Sequence, residues 1–212
     1  MAFKVRIAQE GERQLIPEGT YKAVVYQLVE MGTQPSNFGP DKNRLSIGWE
    51  IPSLRMEIDG ESKPRGFWQS YNLPEEGKGL HPKSNLRKML IKWRGKDFTP
   101  KEMEGFDLKV LLGKSCIITI EHELSEYTNK MRDILLTIKQ WPKNEKPLEP
   151  ENELQYFSFQ ESMEIPANLP EWMRKAITDS YEYQQMLDDE KHDSIVESDM
   201  PDMPEASDDV PF

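Results

Sequence analysis

A change in the spacing of apolar residues near position 81 constrains the fold of this chain most strongly. Before it, residues 44–51 alternate strictly between apolar and polar side chains, which is typical of a half-buried antiparallel strand. After it, residues 81–95 place their apolar side chains at helical spacing: Leu86, Met89, Leu90 and Trp93. Ser84 is a suitable N-cap and Gly95 a suitable end. The sequence therefore predicts one helix among short strands.

Other segments rich in β-branched and aromatic residues predict further strands, at 18–34, 66–73, 114–123 and 131–141. Asp59-Gly60 predicts the turn between the second and third strands. The resulting order, three strands, a helix and two strands, is that of the OB-fold, a small and partly open Greek-key barrel. We therefore expect an all-β fold with minor α content, in which the helix closes one end of a five-stranded barrel.

The charge of the chain divides it into a body and a tail. The net charge of −11 combines +4 over residues 1–146 with −15 over residues 147–212. A proline- and charge-rich linker leads to a predicted helix over 168–187, and from 188 the acidic sequence has no periodicity, which predicts disorder. We expect an OB-fold domain (1–146), a linker and C-terminal helix packing on or near the barrel (147–187), and a disordered acidic tail (188–212).

Several function classes find no support in the sequence. Nucleophile-elbow, Walker-type and HExxH motifs do not occur, so we expect a non-enzyme without a cofactor. The three histidines lie far apart, so we expect no metal site, and the lone Cys116 fits a reducing compartment. No run approaches the roughly 18 apolar residues of a membrane span, and no secretory signal begins the chain. We expect a cytoplasmic protein without a membrane partner.

Basic and aromatic residues are interleaved over residues 63–96, which carry a net charge of +7 and include Phe67, Trp68, Tyr71 and Trp93. Cations follow a phosphate backbone and rings stack on unpaired bases, at about 1–3 kcal/mol per base. Neighbouring strand residues point to opposite faces, so one of Phe67 and Trp68 should face outward. The alternative is that the rings belong to the core, as we expect for Trp93 and Trp49, and that the lysines form a solvated helix face.

Candidate DNA-binding residues follow from the face on which OB barrels bind ligands, strands two and three with their flanking loops. For each isolated residue, ordinary solvent exposure is an equally good explanation. The candidates are Phe38, Arg44, Arg55, Lys63, Arg65, Phe67, Trp68, Tyr71, Lys83, Arg87, Tyr127 and Lys130.

The last residues, "SDDVPF", resemble the acidic tip of bacterial single-stranded DNA-binding proteins, which ends in aspartates, a branched aliphatic residue, proline and phenylalanine. The body, through "PEGTYKAVVYQLVEMGTQ" and "LLGKSCIITIEHE", resembles phage-encoded OB-fold single-stranded DNA-binding proteins over much of residues 17–141. In the bacterial family the tip docks on replication, recombination and repair enzymes of the host. The resemblance therefore implies a protein-docking role for Asp208, Asp209, Val210, Pro211 and Phe212.

The leading expectation is a single-stranded DNA-binding protein without sequence preference, acting in the host cytoplasm if phage-encoded. Alternatives are a DNA-mimic inhibitor acting through its acidic region and an OB-fold protein that binds RNA or a small molecule or acts as an adaptor. The chain lacks the linker of the bacterial family, so its oligomeric state stays open. The tail is also a candidate competitor for the basic groove, in which case deleting residues 188–212 raises DNA affinity most at low salt.

Overall fold

The computed structural model describes residues 14–36, 39–58, 60–75, 77–126 and 128–198, with side chains as far as residue 189. Over these described residues the fold is mostly β, with four helices and a short 3-10 turn at Leu108–Leu111. The strands are β1 (Gly19–Gln34), β2 (Lys42–Ile58), β3 (Glu61–Asn72), β4 (Ser115–Leu124), β5 (Met131–Gln140) and β6 (Gln155–Phe157). The helices are α1 (Asn85–Arg94), α2 (Pro100–Glu104), α3 (Glu171–Thr178) and α4 (Tyr181–Ser198).

The strands form a single sheet in the order β3-β2-β1-β4-β5, with β6 also pairing β1. β4 runs antiparallel to both β1 and β5, and the β4–β5 register shifts between Thr119 and Ile120. Within the described residues β3 does not pair with β5, so the sheet is open. The prediction of a mostly β fold, with a helix between the third and fourth strands, is confirmed, whereas the sheet does not close into a barrel.

Helix α1 forms where its local signals place it. The Ser84 side chain accepts a hydrogen bond from the Arg87 backbone N–H at 3.2 Å, and Gly95 ends the helix at φ 67°, a conformation that favours glycine. Its four predicted apolar residues are buried. The helix packs against β3 and β5, the two edge strands, and its apolar side joins the core formed by Leu45, Ile47, Trp49, Ile51, Ile118 and Ile138.

The polar face of β2 is also covered, which the alternating pattern does not show. Ser46 and Glu50 are fully buried. The Glu50 carboxylate accepts hydrogen bonds from the backbone N–H of Glu151 (2.7 Å) and of Asn152 (2.9 Å), and from Asn152 Nδ2 (2.6 Å). Within the predicted linker, Leu148, Glu151 and Asn152 thus contact the sheet through Ser115 and Glu50. Three donors compensate the burial of one carboxylate.

The described chain divides into two compact units, one of residues up to Val29 with Leu45–Tyr156, the other of Glu30–Arg44 with the chain from Phe157 onward. In the second unit the predicted helix over 168–187 is two helices. Ser180 separates them, because its hydroxyl donates to the Ile177 carbonyl at 2.7 Å and accepts from the Tyr183 N–H at 3.4 Å, capping α4. α4 continues to Ser198, past the predicted helix end, and residues 199–212 lie outside the described residues.

Candidate nucleic-acid interface

Trp68 lies along the outer surface of the sheet, in a seat made by two glycines. A methyl group added at Gly66 would meet Cη2 of Trp68 at 2.4 Å, and one added at Gly48 would meet its Nε1 at 2.9 Å. The indole therefore extends across β2 and β3, where any side chain at those two positions would displace it. Trp68 is half-buried, so it is not enclosed in the core as Phe67 is.

Polar and aromatic neighbours hold this ring in place. Trp68 Nε1 donates to Oε1 of Gln27 at 2.7 Å, and Gln27 in turn donates to Gln155 on β6. The Tyr26 ring meets the indole edge-on, with centroids 6.3 Å apart. A ring fixed in this way loses little conformational entropy when a flat ligand stacks on it.

Phe67 and Tyr71 occupy the opposite face of β3, inside the core. Phe67 is fully buried with its ring centroid 5.8 Å from that of Trp49, and Tyr71 is also buried. Burial raises the pKa of the Tyr71 phenol far above its usual range. The expectation that one of Phe67 and Trp68 faces outward is confirmed. The assignment of Phe67 and Tyr71 as DNA-stacking residues is corrected, because a buried ring offers no face to a base.

The cations of the β2–β3 hairpin are held by the protein itself. Arg55 Nη1 donates to both carboxylate oxygens of Glu151 at 2.8 and 2.9 Å, and the same guanidinium donates to Ser62. Lys63 pairs with Glu61 at 3.0 Å. Arg65 donates to the backbone carbonyl of Gln14. These partners fix the side chains on the hairpin that also carries Trp68, but they offset much of its positive charge.

Arg87 is mainly structural. Its side chain is 14% exposed, its Nη2 lies 3.3 Å from Oδ1 of Asp97, and its guanidinium stands 5.8 Å from the Phe98 ring centroid. The pKa of the Asp97 carboxyl is lowered, first by the Phe98 backbone N–H and then by Arg87. Lys83, just before α1, is exposed.

The remaining candidates are spread over the chain. Arg44 is exposed on β2, in the second unit, and Lys130 is exposed between β4 and β5. Phe38 and Tyr127 lie outside the described residues, as do the tip residues Asp208, Asp209, Val210, Pro211 and Phe212. Among the described candidates, the structure thus brings Arg55, Lys63, Arg65 and Trp68 together on one hairpin.

The uncompensated positive charge of residues 63–96 lies mainly on and beside α1. Four of its nine cations have carboxylate partners: Lys63, Lys78, Arg87 and Arg94. Lys83, Lys88, Lys92 and Lys96 have no ion pair in the described part of the chain. Sequence reasoning included Lys83 but omitted the other three, although their four-residue spacing already placed two of them on one helix face.

Comparison with protein-family models and with curated proteins finds no match. In the described ranges, no cluster of three or more histidine, cysteine, aspartate or glutamate side chains could hold a metal ion. None of the described helices is long and apolar enough to cross a membrane.

Proposed function

We propose that this protein binds single-stranded DNA without sequence preference, through an OB-type sheet. The half-buried indole of Trp68, seated on Gly48 and Gly66, carries the proposal. An aromatic ring fixed on the surface of β2 and β3 is a stacking platform for a base, and stacking does not select among bases. Exposed lysines without carboxylate partners supply the attraction for a phosphate backbone.

The order of the strands supports the OB assignment. An OB barrel joins its third and fifth strands, and opening such a barrel at that seam leaves the order β3-β2-β1-β4-β5 found here. α1 packs against both strands of the seam. We interpret the sheet as an OB barrel with an open seam, occupied by the helix between its third and fourth strands.

Residues 208–212 complete the proposal as a docking peptide. Their aspartates, apolar side chains and aromatic ring suit a pocket with a basic rim on a replication, recombination or repair enzyme of a phage host. A short anchor of this kind gives weak, exchangeable contacts and a high local concentration of the enzyme near the DNA.

Substitution of Trp68 tests whether its ring stacks on a base. Binding of labelled oligothymidylate, followed by fluorescence anisotropy, should weaken about 5- to 150-fold in Trp68→Ala, corresponding to the loss of one base stack of about 1–3 kcal/mol. Trp68→Tyr keeps an aromatic face and should recover much of the affinity. Trp172→Ala is the matched control, because Trp172 is 49% exposed on α3 and carries no predicted role.

Two results would contradict the proposal. If the wild type, Trp68→Ala and Trp172→Ala bind with equal affinity, Trp68 does not stack on a base. Preference of the wild type for duplex DNA or for RNA over single-stranded DNA would assign a different ligand. Thermal unfolding of each variant separates loss of binding from loss of fold.

A further inference from the structure

An open pocket of about 500 Å³ lies at the C-terminal end of α1, away from the Trp68 seat in sequence and on different strands. Trp93 and Leu111, both buried, form its base, and Phe106 and Trp141 contribute aromatic walls. Lys96 and Lys114 stand at its rim as exposed cations. We call this site, defined by those six residues, the α1 pocket.

Three lysines lead along α1 to this pocket. Lys88 and Lys92 are exposed and four residues apart, so they lie on one helix face at a spacing of about 6 Å along the axis. Lys96 follows Gly95, the residue that ends the helix, and lines the α1 pocket. We call Lys88, Lys92 and Lys96 the α1 stripe. Their spacing on the helix is comparable with the distance between neighbouring phosphates of an extended single strand.

Charge at the pocket is positive even after the internal pairing is considered. Arg94 lines the pocket, pairs with Glu102 and stands 4.5 Å from the Phe98 ring centroid. The pKa of the Glu102 carboxyl is lowered, first by hydrogen bonds from Thr99 and then by the charges of Arg94 and Lys96. Among the described residues that line the pocket, three are cations and one, Glu102, is an acid, so an anionic ligand is favoured there.

The Arg94 guanidinium is held in place at the pocket. It lies over the Phe98 and Phe106 rings, with the ring centroids 4.5 and 5.2 Å away, and it pairs with Glu102. One cation of the pocket lining is therefore fixed by the protein itself.

We propose that the α1 stripe and the α1 pocket form a second contact for the same single strand, in which the lysines bind successive phosphates and the pocket receives one base. This inference rests on the proposed function. An extended polyanion fits better than a short acidic peptide, because the cations continue along α1 beyond the pocket. A DNA strand that contacts both this surface and the Trp68 seat makes more phosphate contacts with the protein than the hairpin alone can provide.

The test uses the full chain and two oligothymidylates, one of about 20 nucleotides, longer than one OB fold occupies, and one of about five nucleotides. The variant Lys88→Gln/Lys92→Gln removes two contacts of the α1 stripe. For the long oligonucleotide, the slope of log K against log salt concentration should then fall by about 1.4, at about 0.7 per phosphate contact. Its low-salt affinity should fall about tenfold, while the affinity for the short oligonucleotide should change less than twofold.

Lys146→Gln/Lys175→Gln is the matched control, because it removes the same charge from lysines that are 83% and 76% exposed and already paired with Glu149 and Asp179. The control should keep the wild-type slope. Lys114→Gln tests the rim of the α1 pocket without altering its apolar walls, and should weaken binding of the long oligonucleotide only.

The outcomes separate this inference from the proposed function. If the wild type binds, Trp68→Ala weakens binding and Lys88→Gln/Lys92→Gln matches its control, the second contact is refuted and the proposed function stands. If the wild type binds neither oligonucleotide at low salt, both fail. A third outcome concerns a labelled peptide with the sequence of residues 207–212. If the wild type binds this peptide, Lys114→Gln does not, and both bind DNA equally well, the α1 pocket is assigned to acidic peptides instead.

Discussion

Replacing Glu50 by glutamine should release residues 147–155 from the sheet. The carboxylate is fully buried and accepts three hydrogen bonds of 2.6 to 2.9 Å. A glutamine has nearly the same shape but only one acceptor oxygen, and its NH₂ group faces a donor. The variant therefore loses at least one hydrogen bond to a charged group and leaves a buried donor unpaired. At about 1.5–3 kcal/mol for such a bond, we expect a loss of about 2–4 kcal/mol.

Urea unfolding measures this loss, and amide hydrogen exchange locates it. The backbone amides of Glu151 and Asn152 should exchange faster in Glu50→Gln, whereas those of β4 should follow only the change in global stability. Glu57→Gln, at an exposed position on the same strand, is the control and should stay within about 0.5 kcal/mol of the wild type. A Glu50→Gln protein that is equally stable, with unchanged exchange at the two amides, would show that the Glu50 carboxylate does not hold this segment on the sheet.

The remaining predictions concern the core, the pH dependence and the hairpin. Phe67→Ala should lower the free energy of unfolding by about 3–5 kcal/mol, because it leaves a cavity at a fully buried site. A decrease of less than about 1 kcal/mol, measured by urea unfolding, would place Phe67 outside the core. Burial raises the pKa values of the Cys116 thiol and the Tyr71 phenol. At high pH the folded state thus keeps protons that the unfolded state releases. The free energy of unfolding should therefore be constant below about pH 8 and fall as the pH rises beyond the unfolded thiol pKa near 8.5. Melting temperatures measured from pH 7 to 10 test this, and a constant melting temperature would contradict it. Glu151→Gln should raise the low-salt affinity for oligothymidylate a few-fold, because it frees Arg55 from its ion pair. Glu149→Gln is the control, at a carboxylate that is 81% exposed, and should leave the affinity unchanged. Equal affinities of the two variants would show that the Arg55–Glu151 ion pair does not compete with DNA.

Local signals account for what the sequence predicts correctly. The helix α1 has a side-chain cap, an αL glycine and four apolar residues on one face, all within fifteen residues of sequence. The opposite orientations of Phe67 and Trp68 follow from the geometry of any strand. These features depend on neighbouring residues alone, so they can be recognised without knowledge of the tertiary fold.

Features that depend on distant residues could not be predicted. Alternation in β2 indicates a polar face. It does not indicate that residues 147–155, about a hundred positions later in the chain, cover Glu50. Likewise, the sequence gives the charge of Arg55 and Arg87 but not their partners Glu151 and Asp97. The seat of Trp68 needs glycines on two strands, and only the close approach in the fold shows why they are glycines.

Binding of single-stranded DNA can be measured by adding poly-dT to the full chain at several salt concentrations and following the fluorescence of its five tryptophans. We expect quenching at stoichiometric poly-dT in low salt, an affinity that falls steeply as salt rises, and weaker binding of duplex DNA and of RNA. Absence of binding to poly-dT at low salt, or tighter binding of the duplex, would contradict the proposed function.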